Sequence, residues 1–288
     1  MKKYLIILFA VLGMTLASCD GGSSNNDYII SQDISGCCSY TDDGTGAATV
    51  NNNIRCRLEI NYTQATIALN VYNFKLPDGT STDLTFTNIP AESDKDGWIT
   101  ASAPIAISTG TNATISNFKL KILQRFIQSN YVPAYLLTFN VDSSHSVLIT
   151  RSVQYFGAKT TTTSPSQPSP FESKSTIYGI AYNFEKKTSD LAIIYARFIS
   201  NMPSMSFDIK EVPAELSMAG ITFSADKVIP NLNNAPAEKF PITNLRGSYI
   251  FSGEFQISFD CVPGIDSLNG AEFHCSASGT YLDMPEGE

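Results

Sequence analysis

The residues on which enzymes and nucleic-acid-binding proteins most often rely are scarce in this 288-residue sequence. It contains 2 histidines and 1 tryptophan, and charged side chains make up only 16% of the chain. Acidic residues outnumber basic ones by 27 to 19, which gives a net charge of −8 at pH 7. Because nucleic-acid binding depends on clustered Lys and Arg side chains that neutralise phosphates, the sequence predicts no nucleic-acid partner.

Motifs of the common enzyme classes are also missing from the sequence. There is no glycine-rich phosphate loop, no His-Glu-x-x-His zinc motif, no Gly-x-Ser-x-Gly turn and no dinucleotide fingerprint. A Ser-His-Asp arrangement would have to use His145 or His274 as its base, and both histidines are isolated in the sequence. We therefore predict no catalytic residues, no metal site and no cofactor.

No apolar run in the sequence is long enough to cross a bilayer as a helix. The longest, Tyr4 to Met14, has about 11 residues, whereas a spanning helix needs about 20. This run follows the basic residues Lys2 and Lys3 and ends in small residues before Cys19. That order is typical of a secretory signal, so residues 1–18 are predicted to be a signal peptide.

The cleavage region Leu16-Ala17-Ser18-Cys19 resembles the lipobox of bacterial lipoproteins. In that family a diacylglycerol is attached to the cysteine, signal peptidase II cleaves before it, and the new amine is often acylated. The resemblance implies that Cys19 carries the lipid, palmitate included, and binds the chain to the bilayer of the outer membrane. Residues 19–30 are polar and are predicted to be a flexible tether. The periplasmic and the cell-surface face of that membrane both remain open.

The other five cysteines are predicted to form disulfides, because export places them in an oxidising compartment. Cys261 and Cys275 flank turn residues and are predicted to form one bridge. A second bridge would join Cys56 to either Cys37 or Cys38. Adjacent cysteines seldom bond to each other, so one thiol would remain free.

The composition favours β-sheets, since the chain has 17 Phe and 13 Tyr and a low charged content. A Thr/Ser/Pro-rich stretch at residues 158–171 is predicted to be a linker, because three prolines cannot join a sheet ladder. It separates a predicted first domain, residues 31–157, from a second, residues 172–288.

The two predicted domains repeat each other at an offset of about 123–124 residues. Four blocks recur in the same order: 67–74 with 191–198, 84–91 with 207–214, 97–100 with 220–223, and 115–120 with 242–247. Within the blocks apolar and polar residues alternate, which is typical of strands with one buried face. The predicted fold class is all-β, with two tandem antiparallel β-sandwiches or small β-barrels that arose by duplication.

The recurring pattern of Asn-Phe, Ile/Val-Pro-Ala and Gly around these strands resembles the calycin-like and related β-domains of Bacteroidota lipoproteins. This resemblance implies a fold and an envelope location, and it supplies no catalytic residues.

Two residues are candidates for binding or modification. Trp98 would stack on a sugar if its ring were exposed, or would lie in the core as its repeat partner Ile221 suggests. Ser267, in Asp266-Ser267-Leu268, resembles the O-glycosylation acceptor of Bacteroidota.

These features favour a non-enzymatic binding or structural module anchored in the cell envelope. Its partner would be a glycan or an envelope protein bound on exposed loops, or a small apolar ligand held inside a barrel. The alternative function is a surface polysaccharide hydrolase with carboxylates from both β units, which leave no local sequence motif.

Overall fold

The computed structural model describes residues 28–45, 48–94, 97–106, 108–109, 112–123, 134–251, 253–265 and 268–282. The chain divides between Thr150 and Arg151 into two compact units. The predicted signal peptide, Cys19 and Ser267 lie outside the described residues, as does the tether up to residue 27. Within the described ranges, no helix has the length and apolarity needed to cross a bilayer.

The described residues of the first unit form nine strands. They are β1 (Ile29–Asp42), β2 (Ala48–Asn61), β3 (Thr66–Lys75), β4 (Ser81–Ser93), β5 (Trp98–Ala106), β6 (Ser108–Thr109), β7 (Ile115–Leu123), β8 (Ala134–Val141) and β9 (His145–Arg151). The eight long strands pair in chain order, and β9 pairs with β1 to close the ring. The short β6 pairs with β4. The unit is therefore an eight-stranded up-and-down barrel.

The second unit repeats this plan. Its strands are β10 (Val153–Thr163), β11 (Phe171–Ser173), β12 (Ile177–Asn183), β13 (Thr188–Ala196), β14 (Met205–Leu216), β15 (Gly220–Val228), β16 (Asn231–Leu232), β17 (Ala235–Pro236), β18 (Ile242–Ile250), β19 (Glu254–Cys261) and β20 (Phe273–Tyr281). The strands β10, β12, β13, β14, β15, β18, β19 and β20 form the ring, which closes between β20 and β10. Both units are barrels, which decides between the two predicted architectures.

The predicted linker at 158–171 is wrong in its first half. Residues 158–163 belong to β10 and pair with β20. Threonine is β-branched and suits a strand, and the alternate side chains of Thr160 and Thr162 are buried inside the barrel. Only the proline-containing stretch after Thr163 is a turn region. The second barrel thus begins at Val153, within the predicted first domain.

Aromatic rings fill the interior of the first barrel. The ring centroid of Phe86 lies 4.9 Å from that of Phe118 and 5.9 Å from that of Phe139. Phe139 in turn lies 5.6 Å from Phe74, and all four side chains are fully or almost fully buried. An eight-stranded barrel has an interior that side chains can fill or that can hold one small ligand, and here the four rings occupy it. The first barrel is therefore a packed body.

The second barrel has a similar aromatic interior with two groups of rings. At one end Phe156 lies 4.8 Å from Phe255, 5.1 Å from Tyr249 and 5.0 Å from Tyr281. At the other end Phe240 lies 4.9 Å from Phe207. Phe240 lies in the loop between β17 and β18, and the other rings stand on strands at positions where alternation points side chains inward.

The two barrels share the positions at which single residues adopt left-handed backbone conformations. The matched pairs, each at φ between 52° and 59°, are Ala65 with Lys187, Asn73 with Tyr195, Asn88 with Glu211, and Asn117 with Asn244. Register shifts accompany the residues at 73, 117, 195 and 244. Such bulges reset which face a strand buries. After Asn73, for example, Phe74 faces the core.

This correspondence confirms two of the predicted block alignments and shifts two others. Blocks 84–91 with 207–214 and 115–120 with 242–247 are matched as predicted. Thr66 and Thr188 pair with Pro90 and Pro213, so Ile67 corresponds to Ser189 and not to Leu191. The predicted alignment of the first block is displaced by two residues, because the buried Ser189 stands where the first barrel has the apolar Ile67. A displacement of two residues leaves the alternation of inward and outward side chains unchanged.

Neither predicted disulfide is formed, and all five described cysteines are buried with free thiols. Cys275 pairs with Phe259, two residues from Cys261, and Cys37 pairs with Ile54, two residues from Cys56. Diagonal neighbours in an antiparallel sheet are about 7–8 Å apart, beyond the usual disulfide separation. The sequence indicated the correct neighbourhood for both pairs but could not fix the register.

Cys38 is also no partner for Cys56. Its thiol donates to the carbonyl oxygen of Thr150 at 3.4 Å. Burial raises the pKa of this thiol to about 12, so it stays protonated and unreactive at neutral pH.

Candidate functional site

Because aromatic side chains pack the barrel interiors, the outer faces of the barrels are the candidate binding surfaces. A calycin-like ligand pocket would need inward positions with small side chains, whereas these barrels place Phe86 and Phe156 at those positions with no exposed surface. A small apolar ligand inside a barrel stays a prediction, which these buried rings do not favour.

Trp98 lies on the outside of the first barrel and is half-buried. Ser93 pairs with Ile99 as Leu216 pairs with Ile221, so the true repeat partner of Ile221 is Ile99. The predicted match of Trp98 with Ile221 is thus wrong by one residue. The ammonium group of Lys121 lies 4.2 Å from the centroid of the Trp98 ring and covers one of its faces. This contact does not favour Trp98 as a sugar platform.

A polar surface on the second barrel is the best candidate site. Two rows of outward side chains run across neighbouring strands from β10 through β20 and β19 to β18 and β15. The first row is Thr161, Ser276, Ser258 and Arg246, and the second is Lys159, Ser278, Gln256, Ser248 and Thr222. We call this surface the hydroxyl groove.

The hydroxyl groove is an open depression of about 660 Å³. Its depth follows from side-chain size: Ser276, Ser278 and Ser258 form the floor on the two central strands, and the longer Lys159 and Arg246 stand on the flanking strands β10 and β18. Six of the lining residues carry hydroxyl groups, which both donate and accept hydrogen bonds. The groove can therefore bind a polar, extended ligand.

The two cations beside the groove are held differently. Arg246 donates Nη1 to the carbonyl oxygens of Leu245 and Ala225, and Nη2 to Asp226 at 2.8 Å. Lys159 pairs with Glu172 at 2.6 Å. Both ion pairs are about half exposed or more, and exposed pairs of this kind contribute little to stability.

The next row beyond the groove contains His274, the second histidine considered from the sequence. Its Nδ1 lies 2.7 Å from Asp260 Oδ1, and Asn244 Nδ2 donates to Asp260 Oδ2, also at 2.7 Å. The hydrogen bond from Asn244, with a smaller contribution from His274, lowers the pKa of Asp260. A Ser-His-Asp hydrolase keeps its aspartate buried, whereas Asp260 and His274 are 39% and 55% exposed. His274 and Asp260 therefore form a hydrogen bond at the protein surface, which differs from the buried arrangement of that catalytic triad.

Two other carboxylates with a shifted pKa also lack the property that a catalytic acid needs. Hydrogen bonds from Thr45 and Thr80 lower the pKa of Asp43 and Asp78, respectively. A glycosidase general acid needs a raised pKa so that it stays protonated. In the described part of the chain, no group of three or more His, Cys, Asp or Glu side chains is arranged to hold a metal ion.

Tyr195 is an unusual surface residue of the second barrel. Its backbone is left-handed, with φ 59°, and its side chain is 53% exposed. Asn73, at the matched position of the first barrel, has the same φ. Asn tolerates this conformation, whereas a bulky residue is strained by contact between its Cβ and the following carbonyl.

We expect Tyr195→Asn to stabilise the protein by about 0.5–1 kcal/mol, because it relieves this strain and removes little buried area. Urea unfolding followed by circular dichroism measures the difference. The reciprocal change, Asn73→Tyr, is the matched control and should destabilise by a similar amount. A loss of stability in Tyr195→Asn would show that the exposed ring makes a contact that outweighs the strain.

No protein-family model matches this chain, and no curated protein is similar to it in sequence. One solved structure with some similarity is the crystal structure of a double mutant of the vaccine antigen transferrin-binding protein B from Haemophilus parasuis Hp5. The identity is 6%, the alignment covers 88% of this chain and 76% of that chain, and the TM-score is 0.23. A likeness this weak carries no information about the ligand of the present chain.

Sequence reasoning missed the hydroxyl groove. One signal was available: Ser276 and Ser278 alternate with Cys275 and Ala277, which marks one polar face of a strand. The pattern could not show that β10 and β18 add cations to the same face.

Proposed function

We propose that this chain is a non-enzymatic binding module, anchored in the cell envelope through Cys19, that holds an extended polar ligand in the hydroxyl groove of its second barrel. A glycan is the favoured ligand class. The observation that carries the proposal is the combination of a polar groove of about 660 Å³ on the outside with aromatic rings packed inside both barrels.

The groove suits a glycan because both surfaces are rich in hydroxyl groups. Each serine or threonine hydroxyl can replace one water molecule of a sugar and keep both hydrogen-bonding directions satisfied. Gln256, whose Nε2 donates to Ser248 at 3.2 Å, adds an amide to the same row. An open groove also accepts a polymer whose ends extend beyond the contact, which an enclosed cavity would not.

The anchor has a direct test. Two acyl chains make a stable membrane anchor where one is marginal, so we expect Cys19→Ala to move the protein from the membrane fraction to the soluble fraction. Cys38→Ala is the control, since Cys38 is a buried thiol of the first unit. Quantitative immunoblotting of the two fractions measures the change. Continued membrane association of Cys19→Ala would contradict the proposed anchor.

The groove is tested by filling it. We expect Ser276→Tyr to abolish glycan retention, because a ring at the centre of the floor occupies the space of the ligand. The full chain in detergent is applied to a polysaccharide array, and soluble products are analysed at the same time. Thr280→Tyr is the matched control, since Thr280 points outward from the same strand but does not line the groove.

Three results would contradict this function. If Ser276→Tyr retained glycan as well as the unchanged protein does, the hydroxyl groove would not be the binding site. If the protein bound no glycan on the array, the ligand would not be a glycan. Release of shorter saccharides would favour the polysaccharide hydrolase instead.

A further inference from the structure

The charges around the hydroxyl groove specify the ligand more closely than its hydroxyl groups do. Among the described residues that line it, none is acidic, and the two charged ones are Lys159 and Arg246. The chain as a whole has a net charge of −8. Both charged side chains of the lining are cations, each paired with a carboxylate outside the groove, and cations that face the groove favour an anionic ligand.

The two cations are placed on opposite sides of a neutral floor. Lys159 is on β10 and Arg246 is on β18, and the strands β20 and β19 lie between them. Three strand spacings of about 4.8 Å place β10 and β18 roughly 14 Å apart across the sheet, and the two residues stand in different rows. The serine hydroxyls lie between the two charges. This order fits a polymer with hydroxyl groups between its acidic groups.

Arg246 is the more rigid of the two cations. Its guanidinium uses three donor contacts to Leu245, Ala225 and Asp226 to fix its position. A guanidinium has five N–H donors, so donors remain for a carboxylate or sulfate of the ligand. Among the described residues, the ion-pair partner of Lys159 is the exposed Glu172, which a ligand anion can replace at little cost.

We propose that the hydroxyl groove binds an acidic polysaccharide, with Lys159 and Arg246 contacting its anionic groups and the serine floor contacting its hydroxyls. This inference rests on the proposed function and names the ligand class. Nucleic acid is a poorer fit, because single strands need aromatic platforms for their bases, and none of the described lining residues is aromatic.

The test compares three polymers on the full chain in detergent. The probes are polygalacturonate as the acidic polysaccharide, dextran as the neutral one, and polyglutamate as an acidic polymer without sugar. We expect polygalacturonate to bind at least tenfold more tightly than either of the others. The double variant Lys159→Ala/Arg246→Ala should weaken that binding at least tenfold, and its dependence on salt should become smaller.

The matched control is Lys186→Ala/Lys210→Ala. These lysines are also exposed, also ion-paired and also on the second barrel, but they do not line the groove. Their removal should change the affinity less than twofold. Thermal unfolding of each variant by circular dichroism confirms that it is folded.

The possible results distinguish failure of the acidic-polysaccharide proposal from failure of the proposed glycan-binding function. Dextran binding that equals polygalacturonate binding and is lost in Ser276→Tyr would overturn the acidic ligand and leave the groove in place. Equal binding of polyglutamate would overturn the role of the hydroxyls. Failure of both polysaccharides to bind would overturn the ligand class and contradict the proposed function as well.

Discussion

Phe156→Ala is expected to destabilise the protein by about 3–5 kcal/mol, because removal of a buried aromatic ring leaves a cavity that its neighbours cannot fill. Phe156 is fully buried and lies within 5.1 Å, centroid to centroid, of Tyr249, Phe255 and Tyr281. Domains of ordinary size have about 5–15 kcal/mol of stability in total. The loss should therefore lower the urea midpoint strongly, as measured by circular dichroism.

Phe171→Ala provides the control for this substitution. Phe171 belongs to the same barrel but lies on the short strand β11 and is only partly buried. The same chemical change there should cost less than about 1 kcal/mol. If Phe156→Ala unfolded at the same urea concentration as the unchanged protein, the aromatic cluster would not be the core of the second barrel.

Gly279→Ala is expected to cost about 2–3 kcal/mol, because the added Cβ has no room at the seam that closes the second barrel. Gly279 pairs with Ala158 where β20 meets β10. A Cβ on Gly279 would lie 2.1 Å from the carbonyl oxygen of Gly157 and 2.6 Å from Cα of Ala158. Both are backbone atoms, so relief requires the two strands to separate.

Gly157→Ala, on the facing strand of the same seam, is the control. Its added Cβ would lie 3.0 Å from a terminal methyl group of Leu282, which is a side chain that can move. We expect a cost of about 0.5 kcal/mol. Thermal unfolding of both variants decides the point, and equal stability of Gly279→Ala and the unchanged protein would contradict closure between β10 and β20.

Much of the fold could be predicted because alternation is a local property of the sequence. Leu84 and Phe86 point inward from β4 as their spacing predicts, and the match of Asn117 with Asn244 is confirmed by a shared left-handed conformation. The choice between sandwich and barrel could not be made, because it depends on whether the first strand of each unit pairs with the last. That contact joins residues more than 100 positions apart.

The site was harder to predict for the same reason. The groove brings residues 159–161 beside residues 276–278, and no local pattern reports that pairing. Single-residue bulges compound the difficulty, since each one changes the face on which later residues lie. The partner of Trp98 was mistaken for another reason: Leu216 and Ile221 are one position closer in sequence than Ser93 and Ile99, so the second turn is one residue shorter. The diagonal placement of Cys261 and Cys275 follows from the register of β19 and β20.

Aromatic rings fill both barrels, and we propose that the ligand binds outside them, in the hydroxyl groove. The most direct measurement is a map of backbone amide chemical shifts of the isotope-labelled full chain with and without polygalacturonate. We expect changes centred on Ser258, Ser276 and Ser278, with the first barrel unaffected. Changes centred on inward residues such as Phe86 or Phe156 would show a ligand inside a barrel and would contradict this proposal.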